Sequence, residues 1–371
     1  MNNDRIFSAP GRVEIGGNHT DHQHGRVLAA AIDLKATGIV KANGTDIVRL
    51  SDAAFGTDEI DLRSLEVQLS DTGTSAALVR GVAAWFVKNG YAVGGFDAKV
   101  SSTIPVGAGL SSSAAFEVLC GNIFKGLFGA DISRMEIAQA GQYAENVHFG
   151  KPCGLMDQTA SSFGGLRVID FIDPVNPMVV SVTADFTGYS LCVVNTGGSH
   201  ADLTAYYASI PNEMSSVAAH FGKKYLSQVA EDEFKSSVRD LRYLGDRAIL
   251  RAIHYYAENA RVLEQSAALE KGDIGTFFDL VIESGRSSVS YLQNVYNPDD
   301  PQKQGLTIAL ALSEKLLAGR GAWRVHGGGY AGTILAFVPD GMKDRYSAQM
   351  RGVFGETCCH FLNIQKAGGG E

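Results

Sequence analysis

The sequence predicts an α+β fold, and three observations carry that prediction. Short apolar runs of strand type are mixed with longer periodic stretches of helical type. They do not alternate strictly, which argues against a doubly wound parallel sheet. Forty-three glycines stand against nine prolines and cluster at residues 11–25, 107–109 and 327–332. Glycine allows positive φ and close backbone approach to a ligand, so clusters beside good helices read as loops that wrap something small. Hydrophobic residues make up 45% and charged residues 19%, the balance of a globular protein.

The elements follow in order. Residues 26–40 hold Val27, Leu28, Ile32, Ile39 and Val40, and residues 47–50 form a second run of strand type. In residues 76–88, Leu78, Val82, Trp85 and Phe86 share one helical face, with Gly90 as a stop. Residues 96–103 alternate as a strand does, and 111–128 are apolar nearly all round, as a buried helix is. Ser133-Arg134-Met135-Glu136 is a capping-box pattern that opens a helix running to about His148. Residues 166–171 and 191–195 are short strands, and helices are expected within 240–271, 277–292 and 306–317. Residues 323–325 and 333–338 form a hairpin around glycines, a helix and a strand follow, and 367–371 read as a flexible tail. A chain of 371 residues suffices for two domains, and a boundary between Asp173 and Pro177 divides it into 1–175 and 176–371.

A formal charge of −8 argues against non-specific binding to nucleic acid or an anionic membrane, both of which need a basic face. No apolar run reaches membrane-spanning length, and the start Met1-Asn2-Asn3-Asp4-Arg5 lacks a signal-peptide pattern, so a cytoplasmic protein is expected. Five cysteines, none in a C-x-x-C pair, read as reduced thiols; the adjacent Cys358 and Cys359 have poor geometry for a disulfide.

The strongest local signal is Pro105-Val106-Gly107-Ala108-Gly109-Leu110-Ser111-Ser112-Ser113-Ala114-Ala115. A strand ends, glycines turn and serines open an apolar helix, which aims free backbone N–H groups and the positive helix end at one spot. Gly107, Gly109, Leu110, Ser111, Ser112 and Ser113 are the candidate phosphate cradle, and a serine hydroxyl adds one possible Mg²⁺ ligand. It is not a Walker A loop, since no G-x-x-x-x-G-K-[ST] occurs. The plainer reading is a serine N-cap with nothing bound.

Near the N-terminus stands Gly11-Arg12-Val13-Glu14-Ile15-Gly16-Gly17-Asn18-His19-Thr20-Asp21-His22. A carboxylate and an imidazole on a Gly-rich loop suit sugar hydroxyls, which need paired donors and acceptors. A metal cluster of His19, Asp21, His22 and His24 is the competing reading, but no helix aligns these groups.

These motifs together resemble the GHMP kinases, the superfamily of galactokinase, homoserine kinase, mevalonate kinase and phosphomevalonate kinase. The serine-rich run is similar to the second motif of that superfamily. The N-terminal run resembles the galactokinase signature G-R-V-N-L-I-G-E-H-T-D-Y. Ala144-Glu145-Asn146 with Cys153-Gly154-Leu155-Met156-Asp157-Gln158 resembles galactokinase's A-E-N … P-C-G-I-M-D-Q, and Val325-His326-Gly327-Gly328-Gly329-Tyr330-Ala331-Gly332 the C-terminal G-A-G-F-G-G loop.

The resemblance implies an N-terminal domain like domain 2 of ribosomal protein S5, a ferredoxin-like C-terminal domain and a site between them. It implies ATP and Mg²⁺ as cofactors and a small sugar as partner, in a monomer or weak oligomer. Asp157 would face the anomeric hydroxyl and Arg12 the transferring phosphoryl group. Asn18, His19, Asp21, Gly154 and Tyr207 would line the sugar site, and Ser113 and Glu145 would hold Mg²⁺. Gly327, Gly329 and Gly332 would close over the substrates. Asn195-Thr196-Gly197-Gly198-Ser199-His200 resembles a further segment near that tyrosine.

Departures fall in the sugar site. Asn18 stands where galactokinases keep a glutamate, Glu14 where they keep an asparagine, Ser199 where an arginine is usual, and Ala331 replaces a glycine. A glutamate at position 18 would repel a C6 carboxylate, whereas an amide can donate to one. Galactose is the first expectation, galacturonate the alternative, and a non-catalytic sugar and ATP sensor the second alternative.

Overall fold

The computed structural model describes residues 4–52, 56–105, 107–198 and 203–371. Strand β1 (Arg5–Gly16) runs antiparallel to the long β2 (Arg26–Ala42), followed by the hairpin β3 (Ile47–Asp52) and β4 (Gly56–Asp61). Helix α1 (Ser75–Lys88) leads to β5 (Phe96–Ser102), then α2 (Ser112–Phe128), α3 (Arg134–Tyr143) and α4 (Met156–Phe163), before β6 (Leu166–Asp170) and β7 (Met178–Val182) complete one sheet. One edge of β2 carries β1; the other is shared by β6 at its start and β5 at its end. Helix α2 is buried nearly all round, with Val118, Leu119, Ile123 and Phe124 packed among Phe7, Phe86 and Phe96.

The second sheet has the antiparallel order β11-β8-β10-β9, from β8 (Tyr189–Asn195), β9 (Ala322–His326), β10 (Thr333–Pro339) and β11 (Cys359–Leu362). Between them come α5 (Thr204–His220), the short α6 (Glu231–Ser236), α7 (Asp246–Glu270), α8 (Ile274–Ser287) and α9 (Gly305–Leu317), with α10 (Lys343–Phe354) before β11. The first sheet continues to Val182 and the second begins at Tyr189.

Two expectations need correction. Residues 11–16 are not loop but the end of β1, and two register shifts, between Pro10 and Arg12 and between Glu14 and Gly16, bend it. Such bulges re-aim side chains, and here Arg12 is the residue re-aimed. Within 240–271, as expected, lies the long helix α7, which begins after Gly245 at φ +94°. Residues 367–371 are docked rather than loose. Ser8 and Gly370 exchange backbone hydrogen bonds of 2.8 and 2.9 Å, and Arg5 Nε donates to Glu371 Oε1 at 2.6 Å. A backbone ladder and an ion pair supply what the sequence run Ala-Gly-Gly-Gly-Glu does not advertise.

Candidate active site

The re-aimed Arg12 is buried and makes a two-pronged contact: Nε donates to Asp157 Oδ1 and Nη2 to Asp157 Oδ2, both at 2.7 Å. Its third nitrogen, Nη1, donates to the Gly109 carbonyl at 2.7 Å, so one guanidinium ties β1 to both the glycine turn and α4. Asp157 lies in the first turn of α4, and the Ser111 hydroxyl also donates to it. Burial opposes ionisation of Asp157, but the Arg12 charge and fork, with Ser111 and Lys151, outweigh it and hold the carboxyl below its ordinary range.

Ser111 is the expected N-cap of α2, yet its side chain caps nothing and its φ is +57°. Non-glycine residues in that region are strained by about 1 kcal/mol or more. The hydroxyl serves Asp157 instead, so the first N–H groups of α2 keep no side-chain partner and face the turn of Gly107 and Gly109, at φ +76° and +69°. That is an anion site built from backbone.

Asp21 opens a single helical turn beside this centre. A Cβ on residue 154 would come within 2.5 Å of Asp21 Oδ2, so any larger residue there would displace the Asp21 carboxylate. Burial pushes Asp21 up to about 6, and the nearby Asp157 charge adds to that. His19 is pushed down to about 4 by burial, so it is neutral near pH 7. Its Nε2 donates to the Gly328 carbonyl at 3.0 Å, which leaves Nδ1 to accept from His22 Nε2 at 3.2 Å. The His22 Nδ1 lone pair then has no partner. His24 stacks on Tyr225 at 3.7 Å between centroids, so the histidines serve loop contacts rather than one metal centre.

Asn18 corrects the expectation of an amide free to meet a sugar. It is fully buried, and its amide donates to Glu14 Oε1 at 2.9 Å and to the Gly327 carbonyl at 2.7 Å, while its oxygen accepts from Asn294 at 2.9 Å. Glu14 is in turn paired with the fully buried Arg324 at 2.7 Å. The acid and amide that stand in exchanged positions in the sequence are thus hydrogen-bonded to each other. That exchange was the signal that could have found the pair.

The closing loop already meets the signature turn. Gly327, Gly328 and Gly329 carbonyls accept from Asn18, His19 and Tyr207 respectively, the last at 2.9 Å. Gly329 has φ +76°, and a Cβ there would meet the Asn294 carbonyl at 2.1 Å. Gly332 accepts from the backbone N–H and hydroxyl of Thr196, each at 2.9 Å. Ser199 and His200 of that segment lie outside the described residues, as does Val106 of the glycine turn.

Glu145 and Ser113 are also brought together, with Ser113 Oγ 3.2 Å from Glu145 Oε1. Lys151, which sequence reasoning missed, stands 3.3 Å from the same oxygen. Two hard oxygen donors fit a divalent ion such as Mg²⁺ with a shell completed by phosphate oxygens, whose negative charge would also offset the Lys151 ammonium. Among the described residues no group of three or more His, Cys, Asp or Glu is placed to hold a metal, so an all-protein cage is not offered. One cavity of about 790 Å³ is lined by Arg12, Asp21, His22, Lys151, Gly154 and Tyr207 among others. That volume is in the range of small-molecule sites.

Two family descriptions match this chain: "GHMP kinases N terminal domain" over residues 77–165 and "Galactokinase galactose-binding signature" over residues 2–42. The chain is also similar to the crystal structure of Lactococcus lactis galactokinase complexed with galactose, at 25% identity and TM-score 0.85, covering 99% of this chain and 95% of that one. The chain thus carries a GHMP kinase N-terminal domain and a galactokinase galactose-binding signature. Methanococcus jannaschii mevalonate kinase (15% identity, TM-score 0.69, 98% of this chain and 99% of that one) shares the fold. So does a D-glycero-D-manno-heptose 1-phosphate kinase from Bacteriodes thetaiotaomicron (16%, TM-score 0.65, 98% and 97%). The chain is a sugar kinase, a phosphotransferase with ATP as donor and a sugar hydroxyl as acceptor. Among the described residues no helix is long and apolar enough to cross a membrane.

Proposed function

We propose that this GHMP kinase is a galactokinase, which transfers the γ-phosphoryl group of ATP to the anomeric hydroxyl of galactose. The observation that carries the reading is the fork by which Arg12, which lines one cavity together with Asp21 and Gly154, holds Asp157 beside Ser111. Phosphoryl transfer asks a protein mainly for positioning and charge stabilisation. Asp157, kept ionised by Arg12, accepts the hydrogen bond of the attacking hydroxyl and orients it. A carboxylate held below its ordinary range is a weak base, so orientation is its larger role. The Arg12 charge meets the negative charge growing on the transferred group, and the uncapped start of α2 receives the phosphates behind it. Ser113 and Glu145 would hold Mg²⁺, which would neutralise phosphate charge there. Asp21 accepts from two ring hydroxyls, and Tyr207 presents an aromatic wall beside the closing loop.

The galacturonate alternative needed a free donor at position 18. Both Asn18 amide hydrogens are taken by Glu14 and Gly327, which favours the neutral sugar. The test is ADP release with Mg²⁺ across galactose, galacturonate, N-acetylgalactosamine, glucose and arabinose. Galactose is expected to give the highest kcat/KM. Turnover of galacturonate in its place would overturn the assignment, and release of no ADP with any sugar would favour a sensor.

A further inference from the structure

Away from the active cavity, three of the five cysteines converge on the second sheet. Cys359 opens β11 and pairs in register with Val194 of β8, and Cys192 lies two residues back on the same face of β8. Cys358 precedes it, with the two sulfurs 3.6 Å apart. Cys192 and Cys358 are buried, whereas Cys359 is half-buried. Helix α10 brings Tyr346, Ser347 and Arg351 against this cluster. Beside it is a cavity of about 400 Å³ walled by Lys343, Ser347, Arg351 and Phe361, with Asp344 as its acid. Phe361 shares the β11 face of Cys359, and the Lys343 ammonium stands 5.6 Å over its ring. Arg351 carries no ion pair among the described residues.

The protons of the cluster are unevenly held. Hydrogen bonding from Cys192, against the opposing effect of burial and with help from Cys358, Arg351 and Ser347, brings the Cys359 thiol down to about 7. Burial pushes Cys358 up to about 12 and Cys192 up as well. The buried pair therefore keeps its protons and donates them to a Cys359 thiolate.

We propose that Cys359 is a thiol-exchange site for small anionic disulfides, whose carboxylates are received by Lys343 and Arg351 in the adjoining cavity. The Cys359 thiolate attacks one sulfur of the disulfide. The reagent's S–S bond breaks as a new S–S bond to Cys359 forms, and the second sulfur leaves as a thiolate that takes a proton from solvent. Cys358 stays protonated and too strained for a bond to its neighbour, so the mixed disulfide persists rather than resolving within the pair.

The test uses the full chain, reduced, at pH 7, with glutathione disulfide as the anionic probe and cystamine as the cationic one, read by peptide mass spectrometry. Cys359 is expected to react at least about tenfold faster than Cys153, the other half-buried thiol, whose proton is held more tightly by burial. Glutathione disulfide is expected to outpace cystamine, and Arg351→Gln to remove that preference. A Cys358→Ser variant keeps the modified position unambiguous. Equal rates at Cys153 and Cys359, or an unchanged preference in the exposed-surface Arg351→Gln variant, would overturn the proposal.

Discussion

Asp157 and Asp21 are near enough for the charge of one to act on the other, yet their surroundings push them in opposite directions. The fork from Arg12 keeps Asp157 ionised, while Asp21, buried without a cation of its own, rises to about 6. In its proposed role as an acceptor for sugar hydroxyls Asp21 works only ionised, so kcat/KM for the sugar should fall as pH drops through about 6. The fold responds with the opposite sign. A carboxyl with a raised folded-state pKa favours the protonated protein, so this residue's contribution to stability grows as pH falls from about 6 toward the ordinary carboxylate range. Asp21→Asn should flatten the acid limb of the pH profile and lower kcat/KM roughly a hundredfold. A profile that keeps its acid limb in the variant would assign that limb elsewhere. Arg12→Lys keeps the charge but loses the planar fork. We expect kcat to fall roughly a hundredfold with little change in sugar KM, measured by ADP release.

Between elements, the signature turn acts as the joint of the molecule. Glu258 of α7 accepts from the backbone N–H groups of Gly17 and Asn18 at 3.0 and 3.3 Å, and His254 Nε2 donates to the Asn18 carbonyl at 2.8 Å. Burial opposes ionisation of Glu258, but His254, Arg261, Arg324 and Ser284 hold it at about 2. Its stabilisation is therefore complete above about 4.5 and lost as pH falls from there toward 2. Glu258→Gln should narrow the gap between denaturation midpoints at pH 7 and pH 3. Arg324 and Glu14 bridge β9 and β1 without solvent, so Arg324→Met alone should cost about 3–5 kcal/mol by leaving a buried carboxylate unpaired. Adding Glu14→Gln should recover part of that loss in urea denaturation. No recovery would mean that the pair contributes packing rather than charge balance.

Little of this joint was legible in the sequence. Periodicity found α1, α2, the capping box of α3 and the β9–β10 hairpin, because each is decided by local patterning. It did not give β1, since Pro-Gly-Arg and Gly-Gly read as loop until β2 covers them. The side chains proposed for catalysis were legible through motif order. Their partners Arg324, Asn294, Glu258 and Lys151 were not, because each lies far along the chain or off any motif. Ser111 was read as part of the phosphate cradle, with an N-cap as the plainer alternative, and its hydroxyl instead donates to Asp157, a choice that only tertiary contact decides.

At the scale of the whole molecule, the chain closes on itself. After β11, the Asn363 carbonyl accepts from the Asp33 N–H at 2.9 Å, Gln365 N–H donates to the Ala31 carbonyl at 2.8 Å, and Gly369 N–H donates to the Ser161 carbonyl at 2.9 Å. Ser161 belongs to α4, the helix that presents Asp157, and its hydroxyl donates to the Pro10 carbonyl beside Arg12 at 2.7 Å. The last residues thus brace the two elements that hold the Arg12–Asp157 fork, and they bind the second half of the chain to the first sheet. Two halves so interlocked should unfold together, giving one calorimetric transition whose van't Hoff and calorimetric enthalpies agree. Deleting residues 367–371 removes the Ser8–Gly370 pair, the Gly369–Ser161 bond and the Arg5–Glu371 contact. At about 1 kcal/mol for each hydrogen bond, less the ordering of five residues, the loss should be about 2 kcal/mol. Because α4 loosens with it, kcat should fall while ATP KM changes little. Two resolved transitions in the full chain would show instead that the sheets are independent units and that the tail is only draped across them.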